Sequence, residues 1–412
     1  MAKNVNICFY FQVHQPHRLR KYTYFDIGNN HDYDDSVNNE QIISRVARKC
    51  YLPTNQLLLD LINRHEGNFK VAFSITGTAL EQFKIYSPET LESFKKLAKT
   101  GCVEFLNETY YHSLSCLFSP QEFIEQIKLH AKLIYKEFGY KATTFRNTEL
   151  IYHNDIAKII EDLGYKTIIT EGADKILGWR SPNFVYRPAE CKKIKVLLKN
   201  YQLSDDIAFR FSNAAWSEFP LTADKYAHWL HALNGHAQII NLFMDYETFG
   251  EHQWPETGIF EFIKVLPEYI LKHKDFGFIT PNEASEIYSS VGHIDIPYFI
   301  SWADIERDLT AWRGNSLQED SLQAIYALEE PIKQANDKKL TEIWRILQTS
   351  DHFYYMCTKF AGDGTVHSYF NPYQNPYEAY INFQNILSDF AMELSKKNDE
   401  KETKVKGKHK QK

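Results

Sequence analysis

Cysteine is scarce and scattered. The six residues Cys8, Cys50, Cys102, Cys116, Cys191 and Cys357 include no C-x-x-C pair, so neither a zinc ribbon nor a disulfide scaffold is indicated. No apolar run approaches the ~18 to 20 residues that span a bilayer. The start of the chain, Met1-Ala2-Lys3-Asn4-Val5, enters a strand-like segment and has no signal-peptide h-region. A reduced, cytoplasmic compartment is the expectation, with no membrane partner. Basic charge is also missing. The formal net charge is −6, although the last stretch from Lys396 holds eight lysines against three acids, a local +5. The rest of the chain therefore carries −11, which argues against nucleic acid as a partner.

Aromatics, by contrast, are abundant. They make up 15% of the 412 residues, more than a core needs. The excess suggests flat surfaces on which a neutral ligand stacks, and sugars fit an acidic, aromatic-rich protein.

Strand-like runs at 5–13, 69–76, 101–106, 142–146, 165–170, 194–198 and 238–244 alternate with stretches of helical spacing. Ser87-Pro88-Glu89 and Ser119-Pro120-Gln121-Glu122 open two of the helices with an N-cap, an N1 proline and an acidic first turn. Repeated βα units predict parallel strands, in a barrel or a doubly wound sheet. Beyond Asn315 the strand pattern fades and helices are expected at 317–328, 340–349 and 376–394. A domain change near residue 300 follows, with a helical domain at 301–394 and a solvated, disordered basic tail at 395–412.

Sites in parallel α/β folds lie at the C-terminal ends of strands. The first strand ends in His14-Gln15-Pro16-His17, where imidazoles and an amide can grip hydroxyls. The third carries Glu104, which alternation sets opposite Val103 and Phe105; a carboxylate inside a parallel sheet needs a partner or a task. The fourth ends in Arg146-Asn147-Thr148-Glu149, where the arginine favours an ionised carboxylate. A helix-start glutamate is the plainer reading there. The seventh runs into Asp245-Tyr246-Glu247-Thr248-Phe249-Gly250-Glu251-His252-Gln253-Trp254, four ionisable groups within eight residues. Catalysis, metal binding through Asp245, Glu247, Glu251 and His252, and an ordinary surface turn all remain open for this segment. Two carboxylates on different strand ends suit glycosidic chemistry, in which one attacks and the other protonates the leaving oxygen. Spacing alone does not pick the pair.

Taken in order, His14-Gln15-Pro16, Gly101-Cys102-Val103-Glu104, Phe145-Arg146-Asn147-Thr148-Glu149, Asp245 to His252 and Trp302-Ala303-Asp304 resemble the motifs of glycoside hydrolase family 57, α-amylase-type members above all. Around Glu149 the pattern departs from the commoner one, in which Trp or Pro precedes the glutamate and Cys often follows it. The resemblance implies an incomplete, TIM-like (β/α)7 barrel over residues 1–300, followed by an α-helical region that closes the cleft. It implies Glu149 as nucleophile and Asp245 as general acid/base, with His14, Gln15, Glu104, His112, Arg146 and Asp304 around the sugar. Trp179, Trp254 and Trp302 are candidate stacking platforms, with core packing the alternative for each. Glu247 and His252 are expected to tune Asp245. No cofactor and no metal are expected.

The implied activity is retaining cleavage of internal α-1,4-glucosidic bonds in glycogen, starch or maltodextrin. A 4-α-glucanotransferase or branching enzyme on the same scaffold is the alternative. From other classes come a metal-dependent carbohydrate deacetylase, against which stands the lack of a His-x-x-x-His pair, and a non-catalytic glucan-binding protein. Oligomeric state is not readable.

Overall fold

The computed structural model describes residues 4–359 and 370–409. Its centre is the first strand, Val5–Val13, whose nine residues are all buried. This apolar run is covered on both faces, as parallel sheets require. It pairs in parallel with the second strand, Val71–Ile75, and on its other side with the seventh, Ile239–Asp245. The third strand, Val103–Phe105, pairs with the second. A separate sheet holds the fourth, fifth and sixth strands in order: Thr144–Arg146, Thr167–Glu171 and Lys195–Lys199. A parallel bridge between Asn107 and Phe145 joins the third strand to the fourth. Asn200 N donates to Asn241 O, and Asn241 Nδ2 to Leu198 O, each at 2.9 Å, which joins the sixth to the seventh. The seven strands thus form a ring in chain order, the (β/α)7 arrangement that the family resemblance implies and one of the two that the strand pattern left open.

Outside that expectation lie a short strand, Phe276–Phe278, beside the base of the first, and a two-residue pair, Arg187–Pro188 with His293–Ile294. The helix Pro281–Ile287 plugs the N-terminal end of the ring. Strand starts bond to it or its flanks: Asn6 to Tyr288, Lys70 to Glu283, Thr143 to Asn282 at 2.7 Å, and Lys195 to Tyr288 O at 2.6 Å. Ile279 and Ala284 join the interior cluster with Cys8, Tyr10, Leu106 and Phe243.

The chain divides into two compact units that interleave along the sequence. The first holds the barrel, from the first strand to Gln15 together with Glu40–Tyr110 and Gln126–Trp302. The second gathers Pro16–Asn39 and Tyr111–Glu125 with the described chain from Ala303 onward. Within it, helices Ser316–Ala327, Glu329–Ala335, Lys338–Ile346 and Pro376–His409 pack around the buried Trp312 and Trp344. Asp389, fully buried, takes hydrogen bonds from Gly28 N at 2.6 Å and Tyr33 Oη at 2.6 Å. Arg345 grips Glu122 with two bonds of 2.7 and 3.0 Å. These bonds tie the two early segments into the helical unit.

The expectation of a disordered tail from Ser395 is corrected: the last helix runs on to His409. Lys397 pairs with Asp337 at 2.9 Å, and Asn398 Nδ2 and Lys401 Nζ donate to the carbonyls of Pro331 and Ala335. Lysine stems and tertiary partners hold a segment that composition alone marks as a charge run. Its last three residues, 410–412, lie outside the described part.

Candidate active site

The fourth strand ends at Arg146 and the chain turns through the single 3-10 turn Thr148–Leu150. Glu149 and Leu150 both take left-handed backbone conformations, at φ 56° and 51°. Left-handed conformations at such residues are sparsely populated and cost of order 1–3 kcal/mol each, so packing must impose them. The turn points the Glu149 carboxylate toward Trp302. The indole Nε1 donates to Glu149 Oε2 at 2.7 Å, and Trp302 N donates to Glu149 O at 3.2 Å. Glu149 is 4% exposed.

Cations flank the same indole. The Arg146 guanidinium lies 5.2 Å from the Trp302 ring centre and Lys199 Nζ 5.3 Å. Both suit the electron-rich ring face and add positive potential beside the carboxylate. Arg146 is fully buried and charge-paired with the equally buried Glu108 at 3.7 Å. That distance is an ion pair without a hydrogen bond. All three guanidinium nitrogens lack a hydrogen-bond partner among the described residues, an arrangement that costs stability unless a ligand or water fills it. Glu108 is held by Ser74 Oγ and by Gln12 Nε2, the latter at 3.3 Å, and Tyr10 Oη donates to Gln12 Oε1 at 2.6 Å. Lys199 is shared between Asp205 at 3.0 Å and Glu171 at 3.8 Å.

The seventh strand ends at Asp245, which is half-buried and in register with Gln12 of the first strand. Two residues on, Glu247 is enclosed in the 3-10 turn Tyr246–Thr248. Tyr51 Oη donates to Glu247 Oε1, and Gln15 Nε2 donates to the same oxygen at 3.3 Å. Tyr51 comes from a π-helical turn, Ala47–Tyr51, an irregularity that often marks sites. Burial, followed by the neighbouring Asp245 charge, raises the Glu247 carboxyl to about 8. At neutral pH it is therefore mostly protonated. The carboxyl held neutral by its surroundings is Glu247, where the sequence reading had expected this residue only to tune Asp245.

The other expected residues fall into three groups. His14 bonds Thr76 Oγ1 through Nδ1 at 3.1 Å, and Gln15 joins Tyr51 and Glu247, so both stand at the first strand's end with the site. His252 lies in the turn after Glu247, its N donating to Glu247 O at 2.9 Å. Trp254 is 56% exposed, with Lys49 Nζ 6.0 Å from its ring centre. His112 and Asp304 belong to the second unit, where His112 O accepts from Ser350 N at 2.9 Å and Asp304 pairs with Lys359 at 3.3 Å. Trp179 stands 94% exposed after the short helix Asp174–Leu177, which excludes the core-packing alternative and leaves its ring open to stacking. One expectation does not hold. Glu104 points into the barrel toward its plugged end, where its Oε2 accepts from Asn282 N at 2.8 Å in the first turn of Pro281–Ile287. That bond and the helix N-terminus hold one carboxylate oxygen, Oε1 has no hydrogen-bond partner among the described residues, and burial raises the pKa.

Glu108, Tyr51 and Lys199 were not singled out from the sequence. For Glu108 a cue existed: alternation from Glu104 through the interior residue Leu106 reaches it on the same face, at the strand's C-terminal end. Among the described residues no group of three or more His, Cys, Asp or Glu side chains is arranged to hold a metal ion.

The fold and site are those of a seven-stranded parallel α/β barrel with acidic side chains at its C-terminal strand ends. Residues 8–297 match the model of glycosyl hydrolase family 57, and the chain belongs to that family. A relative from Methanocaldococcus jannaschii, named "Putative alpha-amylase", is 47% identical over 400 residues, 93% of this chain and 84% of its own length. Among solved structures, a GH57-type branching enzyme from Pyrococcus horikoshii superposes with TM-score 0.67 at 15% identity, over 90% of this chain and 87% of that one. A novel alpha-amylase from Thermotoga maritima does so with TM-score 0.61 at 14% identity, over 97% and 95%. At such identities the two structures speak for the fold alone.

Proposed function

We propose that the protein is a retaining α-glucan-acting glycoside hydrolase of the α-amylase type, with Glu149 as nucleophile and Asp245 as general acid/base. Family membership makes the glycosidic bond the bond acted on, and the M. jannaschii relative's name supports α-1,4-glucan as substrate. The observation that carries the assignment of Glu149 is its placement. A strained turn at a strand end holds one carboxylate oxygen on Trp302 Nε1, next to a buried arginine and a buried lysine. Holding Oε2 orients the carboxylate plane and so favours one line of attack.

Glu149 attacks the anomeric carbon as its bond to the glycosidic oxygen breaks, and Asp245 gives its proton to that departing oxygen. Asp245 then takes a proton from water, which attacks the same carbon and releases Glu149 with net retention. An acceptor hydroxyl in place of water makes the same scaffold a transferase. Tyr51 and Gln15 fix Glu247 two residues from Asp245. The six cysteines are unpaired thiols, in keeping with the cytoplasmic setting that belongs to this reading.

The test is a product profile from purified protein with maltoheptaose and with glycogen, with and without EDTA. Shorter chains with matching new reducing ends, unchanged by EDTA, are the expected result. Longer chains without new reducing ends assign a transferase instead, and no change in either glucan overturns the proposal.

A further inference from the structure

The first unit carries a second cavity, of about 390 Å³, within the size range of small-molecule sites. It opens between the ends of the fifth and sixth strands and the helix Ala223–His231. None of its lining residues belongs to the candidate active site. Trp229 gives the wall an aromatic surface, and Asn183, Asn200, Gln202, Asp174 and Asp206 supply planar amides and carboxylates. No lysine or arginine lines it.

The polar groups are built in. Asn200 Nδ2 donates to Asn183 Oδ1 at 3.0 Å, while Asn200 Oδ1 caps the helix Tyr201–Ala208 by accepting from Leu203 N at 3.1 Å. These two bonds fix both amide planes. Asn183, 4% exposed, lines the cavity with its Oδ1 already engaged, so its Nδ2 is the side-chain atom left to donate. Tyr201 Oη donates to Asp174 Oδ2 at 2.7 Å, which holds that carboxylate at the rim. Gly172 closes the floor, where a Cβ would meet Lys199 O at 2.3 Å.

Asp206 is paired with Arg210 at 2.5 Å and Lys225 Nζ lies 5.5 Å from the Trp229 ring centre, so the surroundings are close to neutral, and a lining with no cation of its own offers a phosphate no direct partner. Amides and carboxylates on fixed planes match the paired donors and acceptors of vicinal hydroxyls, and an indole matches the apolar face of a pyranose. We propose that this cavity binds a neutral oligosaccharide, namely a segment of α-glucan chain, as a second site separate from catalysis. The choice of α-glucan rests on the proposed function above; the neutral sugar class rests on the cavity itself.

Isothermal titration of full-length Glu149→Gln with maltoheptaose is the test. Two sites per chain are expected, and one after adding Trp229→Ala. Gln202→Trp, which changes an exposed side chain and obstructs the cavity without disturbing the core, should likewise leave one. In the catalytically intact chain, either substitution should keep kcat/KM for maltotriose within about twofold while raising the apparent KM for glycogen several-fold. One site in the parent, or two sites surviving in the Gln202→Trp chain, overturns the proposal. No binding of maltoheptaose in any of them sinks the α-glucan reading of the enzyme as well, and so separates the two failures.

Discussion

At the scale of single residues, the site places chemically similar carboxyls in very different surroundings. Glu149 is held by an indole donor beside cations, Glu108 pairs with a buried arginine, and Glu247 is enclosed with a phenol and an amide. Glu149→Gln keeps shape and loses charge, so turnover should fall on the order of 10³-fold or more with little change in Tm, as kinetics and thermal melts would show. Wild-type turnover in that variant would remove Glu149 from the mechanism. Asp245→Asn should lose far less rate on a substrate with an activated leaving group than on maltoheptaose, because such a group departs without a proton. Glu247 gives a pH signature. Its carboxyl is raised in the fold to about 8, while in the unfolded chain it titrates near the ordinary value. Between roughly pH 4.5 and 8 the unfolded chain has lost a proton that the folded one keeps. Its contribution is therefore whole below that window and falls as pH rises through it, by up to about 1.4 kcal/mol per pH unit. Denaturant titrations from pH 5 to 8 should show this slope, and Glu247→Gln should flatten it.

At the scale of elements, the fourth strand and the turn after it matter most. Its three residues deliver Arg146, and the 3-10 turn then forces Glu149 into a left-handed conformation against Trp302. Trp302→Phe keeps the ring for Arg146 and Lys199 and removes the N–H that donates to Glu149 Oε2. Loss of a single positioned donor typically costs about 10² in rate; kcat should fall by that order with KM and Tm nearly unchanged. The helix Pro281–Ile287 is the opposite case. Glu104 anchors its first turn from inside the barrel, away from the strand ends that carry Glu149 and Asp245. Glu104→Ala leaves Asn282 N without its acceptor and should cost about 1–3 kcal/mol in denaturant midpoint experiments. It should leave kcat/KM within about twofold; a large catalytic loss without destabilisation would restore Glu104 to the sugar site.

At the scale of the whole molecule, segments far apart in sequence share one unit. Residues 16–39 and 111–125 leave strand ends of the barrel and are fastened to the helices beyond residue 303 by Asp389, Asn382 and Arg345. The last helix extends past Ser395 because Lys397, Asn398 and Lys401 find partners on Asp337, Pro331 and Ala335. A chain ending at Leu394 should melt at lower temperature by a few degrees, with its rate on maltotriose preserved at 25 °C.

The residue pattern by itself determined the seven strand runs but left a barrel and a doubly wound sheet open, because buried parallel strands are continuous apolar runs bounded by capped helices and leave local marks, whereas strand pairing leaves none. It also placed Glu149 and Asp245 at strand ends, since an ionisable cluster after an apolar run is visible in one dimension. The helical character of the last quarter was legible for the same reason. What tertiary structure alone decided concerns partners distant in sequence. Alternation showed Glu104 facing inward but not which end of the barrel it approached, and there a plug helix about 180 residues away claims it. For Trp179 the residue type left stacking and core packing open, and its exposed position excludes the second. Glu108, Tyr51 and Lys199 acquire a role only when the ring of strands brings Arg146, Glu247 and Trp302 to them, since burial and charge pairing are properties of the closed barrel and of no shorter stretch of chain.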